Sequence, residues 1–316
     1  MANNKQVEKE IRFVGLQRSG NHAVINWILQ QCTGDYLFFN DVDPLDPLNE
    51  RRLTEGNLDI DKYECVLYSF EDRLLNTITS AKCYPLTDSY RLNVKKRYDI
   101  LIMRDPYNLF ASRSNHNVVL PKSSHYVSGL SIPNLWITYA KEYLNETSLL
   151  NNNKIVINYN RWCISKQYRK EIAEKLELTH TDAGFNDIPD FGDGSSFNKR
   201  DYNNKAIMMK TDSRWKYVGN QQEYLSLFRD KKLVDISNKI FDVDNDLENF
   251  IEKELKPKFS IYASWSRILQ ILFVPRIITF ARESNIVRYI YFNFLLKKRQ
   301  DLLQKKRDKL VNKVNT

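Results

Sequence analysis

Cysteine is scarce and unpatterned: the 316-residue chain has four, Cys32, Cys65, Cys83 and Cys163, with no C-x-x-C spacing. That excludes a disulfide-stapled miniature scaffold and a zinc knuckle, and it suits buried thiols in a reducing, intracellular compartment. Glycine and proline number nine each, too few for a collagen-like or linker-rich chain. There is no run of eighteen apolar residues, so no membrane-spanning helix is expected. The opening MANNKQVEKE is polar and lacks the apolar stretch of a secretory signal. What remains is 42% hydrophobic and 28% charged, an ordinary globular composition long enough for one large domain or two modest ones.

The formal net charge is +9, but it is not spread evenly. Residues 251–316 hold 15 Lys and Arg against 5 Asp and Glu, which leaves 33 against 34 for residues 1–250. The body is neutral and the tail is basic. A chain that grips nucleic acid carries its cations along the folded body, so no nucleic-acid partner is expected.

Short β-branched and aromatic runs recur, each followed by a helical pattern. IRFVG (11–15) precedes NHAVINWILQQ (21–31), and CVLYSF (65–70) precedes a polar helical stretch. DILIMR (99–104) precedes NLFASRSNH (108–116), and KIVINY (154–159) precedes KQYRKEIAEKL (166–176). Nearly continuous apolar strands alternating with helices predict an α/β fold, a parallel sheet flanked by helices, with ligands at the carboxyl ends of the strands. Residues 132–149 read as an amphipathic helix, 182–206 as a long irregular segment able to order over a ligand, and 221–254 as helix again. The aspartate run at 242–248 lacks the glycine and the last acidic residue of a calcium loop and reads as a solvated helix start.

Strand 11–15 runs into GLQRSGNH, which gives Gly15 and Gly20 the G-x-x-x-x-G spacing of a loop that cradles phosphate with backbone N–H groups at a helix start. A magnesium-dependent nucleotide kinase or ATPase continues with Lys and then Ser or Thr. Here those positions are Asn21 and His22, so no metal is expected, and the loop keeps one cation of its own, Arg18. In LIMRDPYNLFASRSNH, Arg104 ends a strand, Pro106 starts a helix and Ser112 follows eight residues after Arg104. A guanidinium and a hydroxyl so placed are able to share one phosphate.

Taken together, GLQRSGNH and, about 85 residues later, IMRDPYNLFASR resemble the two signature segments of the sulfotransferases that use 3′-phosphoadenosine 5′-phosphosulfate (PAPS) and release 3′,5′-adenosine bisphosphate (PAP). The resemblance implies a phosphate-loop fold in which Arg18, Ser19, Gly20, Asn21 and His22 form the 5′-phosphosulfate site and Arg104 with Ser112 the 3′-phosphate pair. INYNRW (157–162) looks like the family's strand-end tyrosine segment and suggests Tyr159 near the nucleotide. SSF (195–197) resembles a short element that packs on it, bringing in Ser196 and Phe197. DSRWKYV (212–218) is similar to the end of the family's terminal motif but lacks its glycines and its Arg-Lys-Gly start, so Lys210, Arg214 and Lys216 are candidates only. The likeness spans residues 11–220.

Sulfuryl transfer is then a matter of positioning and charge neutralisation, with Arg18 stabilising the bridging oxygen. The family's base, His or Glu, sits near the end of the strand that precedes the 3′-phosphate strand. Here SFEDR offers Glu71 first and Asp72 close behind, while His116 and His125 are imidazole alternatives. The expected reaction moves a sulfuryl group to a hydroxyl or amine of a glycan or small molecule. The alternatives are a nucleotide kinase with a degenerate phosphate loop, and a nucleotide- or membrane-binding protein without catalysis. Domains are expected at 1–256 and 257–316. The second is a basic, amphipathic helical extension that suits either a membrane interface or packing on the body or a second copy. The expected location is the cytoplasm, peripheral to a membrane if the extension binds lipid.

Overall fold

A computed structural model of the protein describes residues 6–43, 53–56, 62–79, 93–115, 131–191, 194, 197–198, 200–242 and 245–255. The chain divides into two units, Met1–Leu255 and Lys256–Thr316. The expectations for 257–316, and those for His116 and His125, lie outside the described residues, as does Ser196.

The first unit is the α/β sheet that the strand-helix alternation predicts. Six strands, β1 (Gln6–Gly15), β2 (Tyr36–Phe39), β3 (Leu53–Glu55), β4 (Lys62–Glu71), β5 (Asn93–Met103) and β6 (Ile155–Asn158), lie in the order β3-β2-β4-β1-β5-β6. All neighbouring pairs are parallel except β2 with β3. Helices follow the parallel strands: α1 (Asn21–Leu29), the short α2 (Leu75–Ile78), α3 (Pro106–Asn115), α4 (Ile132–Tyr143), α5 (Tyr159–Ile164) and α6 (Lys166–Lys175). Strand β2, YLFF, escaped the sequence reading because four residues carry too little pattern to separate from a loop.

Alternation of side chains across the pleat sorts the strands into two cores. Leu101 and Met103 of β5, with Val66, Tyr68 and Phe70 of β4, pack against Phe110 of α3 and Trp136 of α4. Ile100 and Ile102, with Cys65 and Leu67, pack on the other face against Val24, Trp27 and Ile28 of α1. The same alternation sends Ser69 and Glu71 of β4 to the α1 face.

Some helical expectations shorten. Helix α4 stops at Tyr143 instead of running to 149: Asn145 takes a left-handed φ of 59°, and the buried Glu142 carboxylate receives the N–H groups of Leu149 and Leu150. The 221–254 stretch is three helices, α7 (Gln222–Ser226), α8 (Lys231–Ile240) and α9 (Asn245–Leu255), because Asp230 caps α8 and ends what precedes it. Among the described residues, no helix is long and apolar enough to cross a membrane. The described cysteines, Cys32, Cys65 and Cys163, are free thiols.

Candidate functional site

Parallel strands point their carboxyl ends the same way, and most of the described residues singled out by sequence collect there. Strand β1 ends at Gly15, paired with Glu71 at the end of β4, and the chain turns through Leu16–Gly20 into α1. The turn closes with a Ser19 N–H to Leu16 carbonyl bond of 3.1 Å. Arg18 and Gly20 both take left-handed backbone angles, φ 71° and 92°. Glycine is required at 20 on two counts: its φ is one that side chains resist, and a Cβ there would run into the Tyr159 ring. Tyr159, at the start of α5, therefore lies directly on the loop.

Arg104 leaves the end of β5 and reaches under this loop. Its guanidinium donates to the Arg18 carbonyl (3.0 Å), to Ser112 Oγ (3.2 Å) and to the Thr211 carbonyl, and it lies 5.5 Å from the Tyr159 ring centre. Arg214 donates to the same Ser112 Oγ at 3.0 Å and lies 5.2 Å from the Phe197 ring. Two guanidiniums thus meet at one hydroxyl, and the Arg18 charge is close enough to act on Arg214. Burial first, and then the charges of Arg104 and Arg18, push the Arg214 guanidinium down to about 9. Such a cluster stabilises an anion placed among its members and is relieved by it. Among the described residues, Arg104 has no carboxylate within ion-pair range.

The remaining candidates divide. Arg18 donates to the Gly194 carbonyl at 3.2 Å, which ties the irregular 182–206 segment to the loop. That segment is also anchored on α1 and the turn after it, where Asn26 and Gln31 donate to the Gly184 and Ala183 carbonyls and Trp27 to Asp182. Lys210 and Lys216 are exposed, so the structure does not bring their side chains into the cluster. Asn21 and His22 turn their side chains away from the cradle. The Asn21 amide donates to the Leu16 carbonyl (3.0 Å) and to Glu71 Oε1 (2.7 Å), and His22 Nε2 lies 3.0 Å from Asn40 Oδ1. These two residues can offer an anion their backbone N–H groups, because the Asn21 amide and His22 Nε2 are engaged at strand ends.

The two carboxylates proposed from SFEDR have different surroundings. Asp72 is buried and bound in a bidentate pair by Arg113, at 3.0 and 2.9 Å, and also accepts the Gln17 N–H at 3.0 Å. Its own N–H donates to the Gly15 carbonyl. This corrects the reading of Asp72 as a base: a carboxylate whose two oxygens are committed to a buried guanidinium and a backbone donor positions the loop. Glu71 differs. Among the described residues its carboxylate receives one hydrogen bond, from Asn21, on Oε1. Because the Leu16 carbonyl fixes which end of the Asn21 amide faces Glu71, Oε2 is the oxygen left to act as a base.

Arg113, Gln17 and Asn40 escaped the sequence reading. Arg113 stands in a segment quoted for Arg104 and Ser112, but nothing local marks it as the partner of a residue 41 positions away.

No family model matches the chain, and no curated protein does. Among solved structures, mouse sulfotransferase SULT7A1 complexed with PAP aligns with 78% of this chain and 89% of its own, at 11% identity and a TM-score of 0.38. A likeness at that level carries no functional weight, so the reading rests on the residues themselves.

Proposed function

We propose that this protein is a sulfotransferase that moves the sulfuryl group of PAPS to a hydroxyl or amine of a glycan or small-molecule acceptor. The observation that carries the reading is the pair of guanidiniums, Arg104 and Arg214, that meet at Ser112 within reach of the Arg18 charge, set beside a left-handed Gly20 loop. A nucleotide with phosphates at both its 3′ and 5′ ends needs two anion sites a short distance apart. The loop N–H groups of residues 20–22 suit one, and Arg104 and Arg214, which meet at Ser112 Oγ, suit the other. The charge suits such a nucleotide, and the sequence resemblance points the same way.

PAPS, when bound, supplies the activated sulfuryl group. Arg18, on the loop itself, stabilises negative charge that develops on the oxygen bridging phosphate and sulfur. Glu71 Oε2 takes the acceptor proton, with Asn21 holding the other oxygen so that one lone-pair direction is fixed. Asp72 and Arg113 act at one remove, keeping Gln17 and the strand ends in register. Tyr159 packs against Gly20 and gives the nucleotide end of the site an aromatic wall. A kinase reading is disfavoured because Asn21, where a kinase loop has its lysine, is tied to Glu71.

Isothermal titration of the full chain with PAP, and separately with magnesium and ATP, tests the assignment. The expected result is magnesium-independent PAP binding that weakens 10- to 100-fold in Arg104→Ala. Absence of PAP binding, or preference for magnesium-ATP, overturns it.

A further inference from the structure

His22 is the one histidine at the carboxyl edge of the sheet among the described residues, and its hydrogen bonds fix which nitrogen carries the proton. The Ser69 hydroxyl accepts the Asp41 N–H at 2.8 Å and is the donor to Asn40 Oδ1, 3.1 Å away. Asn40 therefore faces both neighbours with its oxygen, and the group 3.0 Å from that oxygen, His22 Nε2, is the donor. In the neutral ring the lone pair then belongs to Nδ1. Nδ1 has no hydrogen-bond partner among the described residues, and the ring is half-buried, edge-on to Phe191 at 5.6 Å between centres.

The same strand ends that hold this ring also hold the proposed base. Ser69 and Glu71 are two residues apart on β4, hence on one face and about 6.5 Å apart along the strand. His22 reaches Ser69 through Asn40, while Asn21, the preceding residue, reaches Glu71. Two hydrogen-bond acceptors, Glu71 Oε2 and His22 Nδ1, therefore belong to side chains held at neighbouring strand ends on the α1 face.

We propose that His22 serves the acceptor side of the site: its Nδ1 accepts a hydrogen bond from an X–H group of the incoming nucleophile, and Asn40 and Ser69 hold the tautomer that makes this possible. This rests on the sulfotransferase reading. It implies a neutral acceptor bringing at least two donor hydrogens, one for Glu71 and one for His22, as a polyol or an amine does. Water is the smallest such molecule, and its attack on PAPS reports on the arrangement before the natural acceptor is known.

The test has two arms on the full chain. Long-range proton–nitrogen NMR of histidine-labelled protein, with His22 assigned by its loss in His22→Gln, is expected to show Nε2 protonated and Nδ1 bare. Replacing Asn40 with Leu is expected to shift the ring toward a tautomer mixture. In the second arm, PAP release from PAPS in water is expected to fall about tenfold in both His22→Gln and His22→Leu, with PAP affinity within twofold of wild type. A protonated Nδ1, a tenfold loss of PAP affinity in either variant, or equal release rates in variant and wild type, background rates included, overturns the proposal. If wild type fails to bind PAP, it is the sulfotransferase reading that falls, and the NMR arm still decides the state of His22.

Discussion

Arg104 and Arg113 leave the same stretch of chain nine residues apart and are equally buried, each 2% exposed, yet they meet opposite surroundings. Arg113 is matched by the Asp72 carboxylate and takes a carbonyl, Gln17, besides. Arg104 is met by two carbonyls and a hydroxyl, with two further arginines close by. A buried cation matched by a carboxylate holds the fold together and has no charge to lend. One met only by dipoles, among other cations, keeps its charge for something that arrives. The same distinction separates Asp72, which is spent, from Glu71, which keeps one oxygen.

Glu71→Gln attacks the comparison on the carboxylate side with the largest expected effect. Turnover should fall by about 10²- to 10⁴-fold while PAP affinity stays near wild type. Retained turnover, measured as PAP release, would return the search for the base to other residues.

On the arginine side, Arg113→Met strands a buried Asp72 and should cost about 3–5 kcal/mol in urea unfolding. Arg104→Met should cost far less stability, because it removes a charge that its neighbours repel. If the two variants unfold alike, the division between structural and ligand-ready arginines is wrong.

A smaller effect is expected from Gly20→Ala, which forces a left-handed alanine against the Tyr159 ring. Strain of about 1–3 kcal/mol should appear in unfolding, together with weakened PAP binding by titration.

The smallest effect lies far from the site, at Glu142. Burial by itself would raise its carboxyl, but hydrogen bonds from Thr147, Leu149, Leu150 and Lys154 outweigh that and hold it below its ordinary value. A depressed folded pKa means that the stabilisation is complete above the unfolded value, about 4.3, and is lost as pH falls through the folded one. Glu142→Gln should therefore flatten the acid limb of a stability profile measured by denaturant unfolding.

The strands that begin the β-α pairs were legible because apolar runs of six or so residues declare themselves, and the loop was legible from the Gly15 and Gly20 spacing. Arg104 and Ser112 were readable because an eight-residue spacing brings a strand end and a helix face together locally. Asp72 was misread for the opposite reason: its partner, Arg113, lies 41 residues on, and no window of sequence contains both. The resemblance puts Asn21 and His22 in the phosphosulfate site, whereas Glu71 and Asn40, from two other strand ends, turn their side chains away.

By itself, then, the sequence determined the alternation of strands and helices, the phosphate-type turn, and which cations and carboxylates stand at strand ends. These follow from periodicity and spacing within short windows. Only the tertiary structure decided which of those groups keep their charge or lone pair, because that depends on partners delivered by β2, α3 and the 206–217 segment. The sheet brings them together by stacking strands in an order different from that of the chain.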